Sequence, residues 1–349
     1  MFKSKFQNNF EVILVGRELA TSRSLERPYK TKRFNLFFNK GFLFYSEYNL
    51  RLFFFLLTNK FDIYHANDLD TLLPMWLVSS FKKKILVYDS HEYFLGIPEI
   101  QNRYMVKKVW TAIERFIFPR LKYVFTVNKS ISNLYFKDYQ IRPNVIRNIP
   151  KSTKISNEES RENLGLPKNQ LIVVLQGSGI NVHRGSEELL EAIASQDKYF
   201  LCIVGKGDVV SDLKLRASED DLKNKILFVP PLSYNRMLQY TLNCDVGVSL
   251  DKNNNINHMF SLPNKIFDYS KSKIPFVATN LIEIKNIVDE YKTGVLINSL
   301  SPISILKGLD KAIELKKTSE FFDNILRMNT DLNWEKEAEV LVKTYNNFK

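Results

Sequence analysis

The chain alternates short apolar runs with amphipathic stretches, and it does so in two successive sets. Strands joined through helical crossovers pair in parallel, and a parallel sheet is covered by helices on both faces. The first set of strands reads at residues 11–16, 33–38, 62–66, 84–89, 123–127 and 144–148. Amphipathic stretches such as 105–121 and 129–139 lie between them. The second set reads at 171–176, 200–205, 226–229, 245–250, 275–279 and 294–297, with helices at 186–195, 209–218, 233–241 and 264–272. The pattern predicts an α/β chain with two Rossmann-like, doubly wound domains, one over 1–150 and one over 171–332. The polar stretch 151–170 reads as a linker with a short helix at 157–164, and 333–349 as a closing helix. In such sheets ligands bind beyond the carboxyl ends of the strands.

Charge separates the two parts. Residues 1–150 hold 24 Lys+Arg against 12 Asp+Glu, whereas the remainder holds 26 of each. The basic, aromatic-rich first domain therefore suits an anionic partner: a membrane surface, a lipid-phosphate-linked substrate or nucleic acid. Its aromatics read as core-facing, which disfavours nucleic acid, where they would stack on bases. Residues 41–57 are apolar but include Glu47, Asn49 and Arg51, and read as a buried helix rather than a span. The first ten residues lack the apolar centre of a secretory signal. Cys202 and Cys244 each sit in an apolar run and read as buried hydrophobes in a reducing cytosol.

Chemistry-bearing residues gather at the predicted strand ends. In Ser261-Leu262-Pro263-Asn264-Lys265-Ile266-Phe267-Asp268-Tyr269 the proline suits a first helical turn. Asn264 and Lys265 at a helix start suit a phosphate or diphosphate. Asp268, one turn on, can accept from a ribose diol. Gly177, Ser178 and Gly179 follow a strand and lead to Arg184, which can fork onto a diphosphate. Gly205-Lys206-Gly207 and Pro230-Pro231 also follow strands, the latter as a loop that can hold a base. Each also reads as a plain turn, and the Lys and Asp as solvated; their common placement favours one crevice. In the first domain the clusters are His65-Ala66-Asn67-Asp68-Leu69-Asp70 and Asp89-Ser90-His91-Glu92.

These motifs resemble the glycosyltransferases of family 4, retaining enzymes of GT-B fold with two facing Rossmann-like domains. The matching segments are 65–72, Val87 to Glu92, Arg147-Asn148, 176–185, 205–207 and Leu262 to Tyr269. The resemblance implies a nucleoside-diphosphate-sugar donor on the second domain and a saccharide or lipid-linked acceptor on the first. It implies donor contacts at Gly177, Ser178, Gly179, Gly205, Lys206, Pro231, Leu262 and Asn264, with Asp268 on the ribose. Arg184 and Lys265 would face the diphosphate and His91 the sugar. Asn67, Asp68, Asp89 and Glu92 would line the acceptor side. No cofactor or metal is implied. Asp68-x-Asp70 matches a metal pattern of another glycosyltransferase class, but either residue also reads as an N-cap, and the N-cap is the reading taken. The last helix would pack back on the first domain.

The sequence departs from the family at three places. Phe260 and Asp268 stand where the family has paired glutamates, and Gly179 stands near the position of a usual arginine. The fold also leads us to expect a strand, loop and helix before residue 10, for which 1–9 leaves room only for the tail of the helix. Transfer to a polysaccharide or glycolipid is the expectation, in the cytoplasm and peripheral to the membrane. A donor-binding partner subunit without turnover is the alternative.

Overall fold

The computed structural model describes residues 10–20, 22, 26–152, 156 and 158–348. They form two compact units, one of Met1–Arg147 with Ala338–Lys349 and one of Asn148–Glu337.

Strands of the first unit are β1 (Ile13–Glu18), β2 (Lys30–Asn35), β3 (Ile63–Asn67), β4 (Ile85–Ser90), β5 (Tyr123–Thr126) and β6 (Asn144–Val145). Those of the second are β7 (Leu171–Gly177), β8 (Tyr199–Gly205), β9 (Ile226–Val229), β10 (Val246–Ser249), β11 (Phe276–Thr279) and β12 (Gly294–Ile297). The second unit is one parallel sheet in the order β12-β11-β10-β7-β8-β9. The alternation of side chains splits each apolar strand between two cores. Ile172 and Val174 pack with Ile266, Phe267 and Tyr269, while Val173 and Leu175 pack with Leu189, Leu190 and Ile193. The chain direction across the sheet reverses between β7 and β10, which makes their carboxyl ends the switch point where ligands bind.

The stretch expected as a linker is packed on the second unit. Leu164 and Leu166 are buried in its core. The expected helix at 157–164 is absent among the described residues; 161–165 forms a turn closed by Gly165 at φ +69°. Arg161 is held by tertiary partners: it donates to the carbonyls of Asn243 (2.9 Å) and Gln170 (3.1 Å) and pairs with Asp245 (2.9 Å). Arg161→Met should destabilise this unit by about 2–3 kcal/mol, because Asp245 and two carbonyls lose a charged donor. Urea unfolding of the variant would reveal this as a lower midpoint with an unchanged slope.

In the first unit β1-β2 and β3-β4-β5-β6 form two separate parallel sheets. Among the described residues no strand bridges β1 and β3. The expectation about residues 1–9 lies outside the described residues. Crossover helices Gly41–Thr58, Leu69–Phe81 and Tyr104–Ile117 pack side by side. Leu52, Leu56 and Val78 share a core with Tyr64, Tyr45 meets Trp110 at 5.4 Å, and Trp76 meets Phe116 at 5.3 Å. Alternate strand residues Val87 and Phe125 instead pack with Leu341 and Tyr345 from helix Trp334–Asn346.

Two readings change here. The strand expected at 33–38 is β2, three residues earlier, because the Glu47 carboxylate accepts from the amides of Phe37 and Phe38. The helix expected to be buried has only Leu52 and Leu56 fully buried, and Leu43, Leu50, Phe54 and Leu57 face outward. Among the described residues no helix is long and apolar enough to cross a membrane.

Candidate functional site

At the switch point two loops are bonded edge to edge. Lys206 donates its backbone N–H to the carbonyl of Gly177 (3.1 Å), and Ile180 donates to that of Lys206 (3.0 Å). Gly205 has φ +137°, and a Cβ there would lie 1.8 Å from the Gly177 oxygen. The loops can approach this closely only because no side chain intervenes. Ser178, Gly179 and Lys206 are exposed on the joined loops.

Gly185 does similar work one turn later. At φ +72° it precedes helix Ser186–Ala194, and a Cβ on it would lie 2.3 Å from the Leu250 oxygen. The contact brings Arg184 to the end of β10, where its Nη1 donates to Asp251 Oδ2 at 2.7 Å. Asp251 is 1% exposed, and its other oxygen has no hydrogen-bond partner. Lys265, half-buried, lies in the same field. Burial holds its ammonium below the ordinary lysine range, Asp251 opposes that shift, and Arg184 adds to it. Burial and Arg184 likewise lower His258. Three cationic or protonatable side chains thus surround one buried carboxylate, an arrangement with positive charge to offer an anion.

Asp268 lies on the inner side of helix Lys265–Lys271. Its Oδ1 accepts from Tyr234 Oη (2.7 Å) and its Oδ2 from Gln176 Nε2 (3.1 Å). Thr241 fixes Gln176 by donating to its Oε1 at 2.6 Å. Burial pushes Asp268 up to about 6, against the pull of those two donors and of Lys271. Asn264 is exposed, Leu262 packs at the core margin, and Pro231 is exposed after β9.

In the first unit β3 and β4 bring the predicted polar residues together. Asp89 Oδ2 lies 3.6 Å from Nε2 of both His65 and His91. Asp68 stands at the N-cap position of helix Leu69–Phe81 but does not cap it. Its Oδ1 accepts the backbone N–H of His91 at 2.8 Å instead, and its own φ is +57°. That backbone conformation is rare for a residue with a side chain, so the β3 and β4 loops hold Asp68 under local strain. Burial raises Asp68, and burial together with Asp68 pushes Asp70 up to about 6. Tyr345 Oη contacts His65 Nδ1 at 2.5 Å. Asn67, His91 and Glu92 remain exposed at the rim.

Sequence reasoning missed Asp251, Gln176, Tyr234 and His258. A signal existed for two of them: Gln176 and Asp251 are polar residues that end apolar strand runs. Nothing local marks Tyr234.

The chain resembles known proteins in sequence and fold. The description "Glycosyltransferase Family 4" matches residues 6–153, and "Glycosyl transferases group 1" matches residues 156–327. No curated protein matches the chain. Sucrose-phosphate synthase from Thermosynechococcus elongatus superposes with a TM-score of 0.73 at 16% identity, over 99% of this chain and 90% of that one. HepE from Anabaena, in complex with UDP-glucose, gives 0.70 at 17% identity over 91% and 86%. A glycosyltransferase from Rickettsia africae gives 0.68 at 15% identity over 92% and 85%. With nearly the whole length matched by the two descriptions together and the parallel sheets of the GT-B fold, the chain belongs to the family 4, group 1 glycosyltransferases.

Proposed function

We propose that the protein is a retaining glycosyltransferase that moves a sugar from a nucleoside-diphosphate donor to a hydroxyl of a polysaccharide or glycolipid. The observation that carries this reading is Arg184, held at the switch point against buried Asp251 with Lys265 in the same field. A donor diphosphate would take the other N–H groups of the Arg184 fork while Asp251 keeps Nη1 in place. The bond from the sugar's anomeric carbon to the diphosphate oxygen breaks, and the acceptor oxygen bonds to that carbon on the same face. The acceptor proton passes to the departing phosphate oxygen. Arg184 and Lys265 neutralise the charge that develops there, so the reading needs no metal. Asp268 would hold the ribose, Gly177 to Gly179 and Gly205-Lys206 the phosphates, and Pro231 and Leu262 the base. His91 would position the sugar, with Asn67, Asp68, Asp89 and Glu92 on the acceptor side.

The reading places the protein in the cytoplasm, with membrane-linked acceptors within reach. The test is incubation with a panel of nucleotide-sugars and lipid-linked or oligosaccharide acceptors, followed by NMR of the product. Retained anomeric configuration, at a rate unaffected by a chelator, is expected. Inverted product would overturn the mechanism, and chelator-dependent transfer the metal-free assignment.

Phe260, at a position where the family has a glutamate, favours a second reading, a partner subunit that binds donor without turnover. Donor binding by calorimetry, with neither transfer nor donor hydrolysis, would select it.

A further inference from the structure

We propose that the outer face of the three crossover helices of the first unit docks on an anionic lipid bilayer. A soluble helix is ordinarily apolar on one face and polar on the other. Helix Gly41–Thr58 is apolar on both. Leu52 and Leu56 point into the core, while Leu43, Leu50, Phe54 and Leu57 form one exposed stripe with spacings of seven, four and three residues. Leu50 is 57% and Phe54 54% exposed. Helix Tyr104–Ile117 repeats the pattern: Trp110 and Ile117 are buried, whereas Met105, Val109 and Phe116 line the outside at spacings of four and seven. Phe116 leans on Trp76 of the middle helix, which ends in Phe81, 77% exposed. Lys82 ties the ends of the first two helices together by donating to the carbonyls of Leu56 and Asn59. The stripes are therefore parts of one layer of packed helices, on which exposed apolar residues gather along helix faces rather than scatter singly.

Charge identifies the occupant. An open groove of about 370 Å³ beside the 104–117 stripe is lined by Tyr104, Lys107, Lys108, Thr111, Ala112 and Arg115. Three of these six are cations, enough to face a phosphate headgroup while the stripe enters the acyl boundary. The one carboxylate of that helix, Glu114, is buried and accepts from Tyr139. Glu47, the one carboxylate of helix Gly41–Thr58, is occupied by two backbone amides and Arg51. Two-fold docking on a second copy would set the same patch against itself. Lys107, Lys108 and Arg115 would then meet their own copies, and Glu99, exposed in the short helix just before, answers three cations with one charge. An anionic bilayer supplies both the apolar depth and the opposite charge. The proposal does not rest on transferase activity.

Sedimentation of the full chain with vesicles tests it. Binding is expected to vesicles of equimolar phosphatidylcholine and phosphatidylglycerol at low salt, and little to phosphatidylcholine alone. Lys108→Glu with Arg115→Glu should weaken binding roughly tenfold or more. Phe54→Ser with Phe81→Ser should weaken it with the melting temperature unchanged. Equal binding to both vesicle types, or wild-type binding by both variants, would overturn the proposal. So would a dimer in light scattering that the phenylalanine variant dissociates.

Discussion

Replacing Lys265 with alanine should lower turnover by roughly 10²–10³-fold, and Arg184→Ala should do about the same. The magnitude follows from where the two charges sit. Arg184 is fixed by Asp251 before any donor arrives, and half-buried Lys265 is little screened by water. Groups held in place need no reorganisation as the diphosphate departs, so their effect falls on the transition state. A loss in kcat with a smaller change in KM is therefore expected in steady-state release of the nucleoside diphosphate. Unchanged turnover in both variants would remove these residues from the reaction. The pH profile adds a sign. Burial holds Lys265 below the ordinary lysine range, so it loses its charge earlier as pH rises. Turnover should fall on the alkaline side in the wild type, and Lys265→Arg should flatten that limb.

Gly205→Ala should be the most damaging small substitution in the second unit. The added carbon would lie 1.8 Å from the Gly177 oxygen at a backbone φ of +137°. Strain at such a φ costs about 1–3 kcal/mol, and forced overpacking about as much again. The loops bearing Ser178 and Lys206 would have to part, so donor binding should be lost along with stability. Gly16→Ala in β1 is the matched control: nothing lies within 4 Å of its new carbon, so a change within about 0.5 kcal/mol is expected. Equal melting temperatures for the two variants would show that the loops are not wedged as described.

The second sheet was easier to read than the first for a physical reason. β7, β8, β9 and β12 are covered on both faces, so their apolar runs are uninterrupted and their limits fall within a residue of those expected. β2 is Lys-Thr-Lys-Arg-Phe-Asn, and its end is set by a carboxylate twelve residues beyond it, Glu47, which no local pattern announces. Arg161 likewise turned an expected helix into a turn through partners more than eighty residues away. The aromatics of the first unit were misread because composition counts apolar residues without showing which face they take. Phe37, Phe42 and Phe81 point outward. At the site, Arg184, Lys265 and the glycines were legible because loops after strands keep their chemistry in sequence order. Asp251 and Tyr234 were not, since their roles exist only once distant segments close on Arg184 and Asp268.

Leu341 and Tyr345 complete a sheet face begun by Val87 and Phe125. Those partners are separated by the whole of the second unit. During synthesis the β3-β4-β5 face must wait, uncovered, while some two hundred residues emerge. The second unit has no such debt to later sequence and can close as soon as it is made. The contact that finishes the first unit is also among the longest-range in the chain, and loop closure over such a span is slow. A nascent chain stalled just before Ala338 should therefore expose apolar sheet to chaperones, even with every strand of both units already translated.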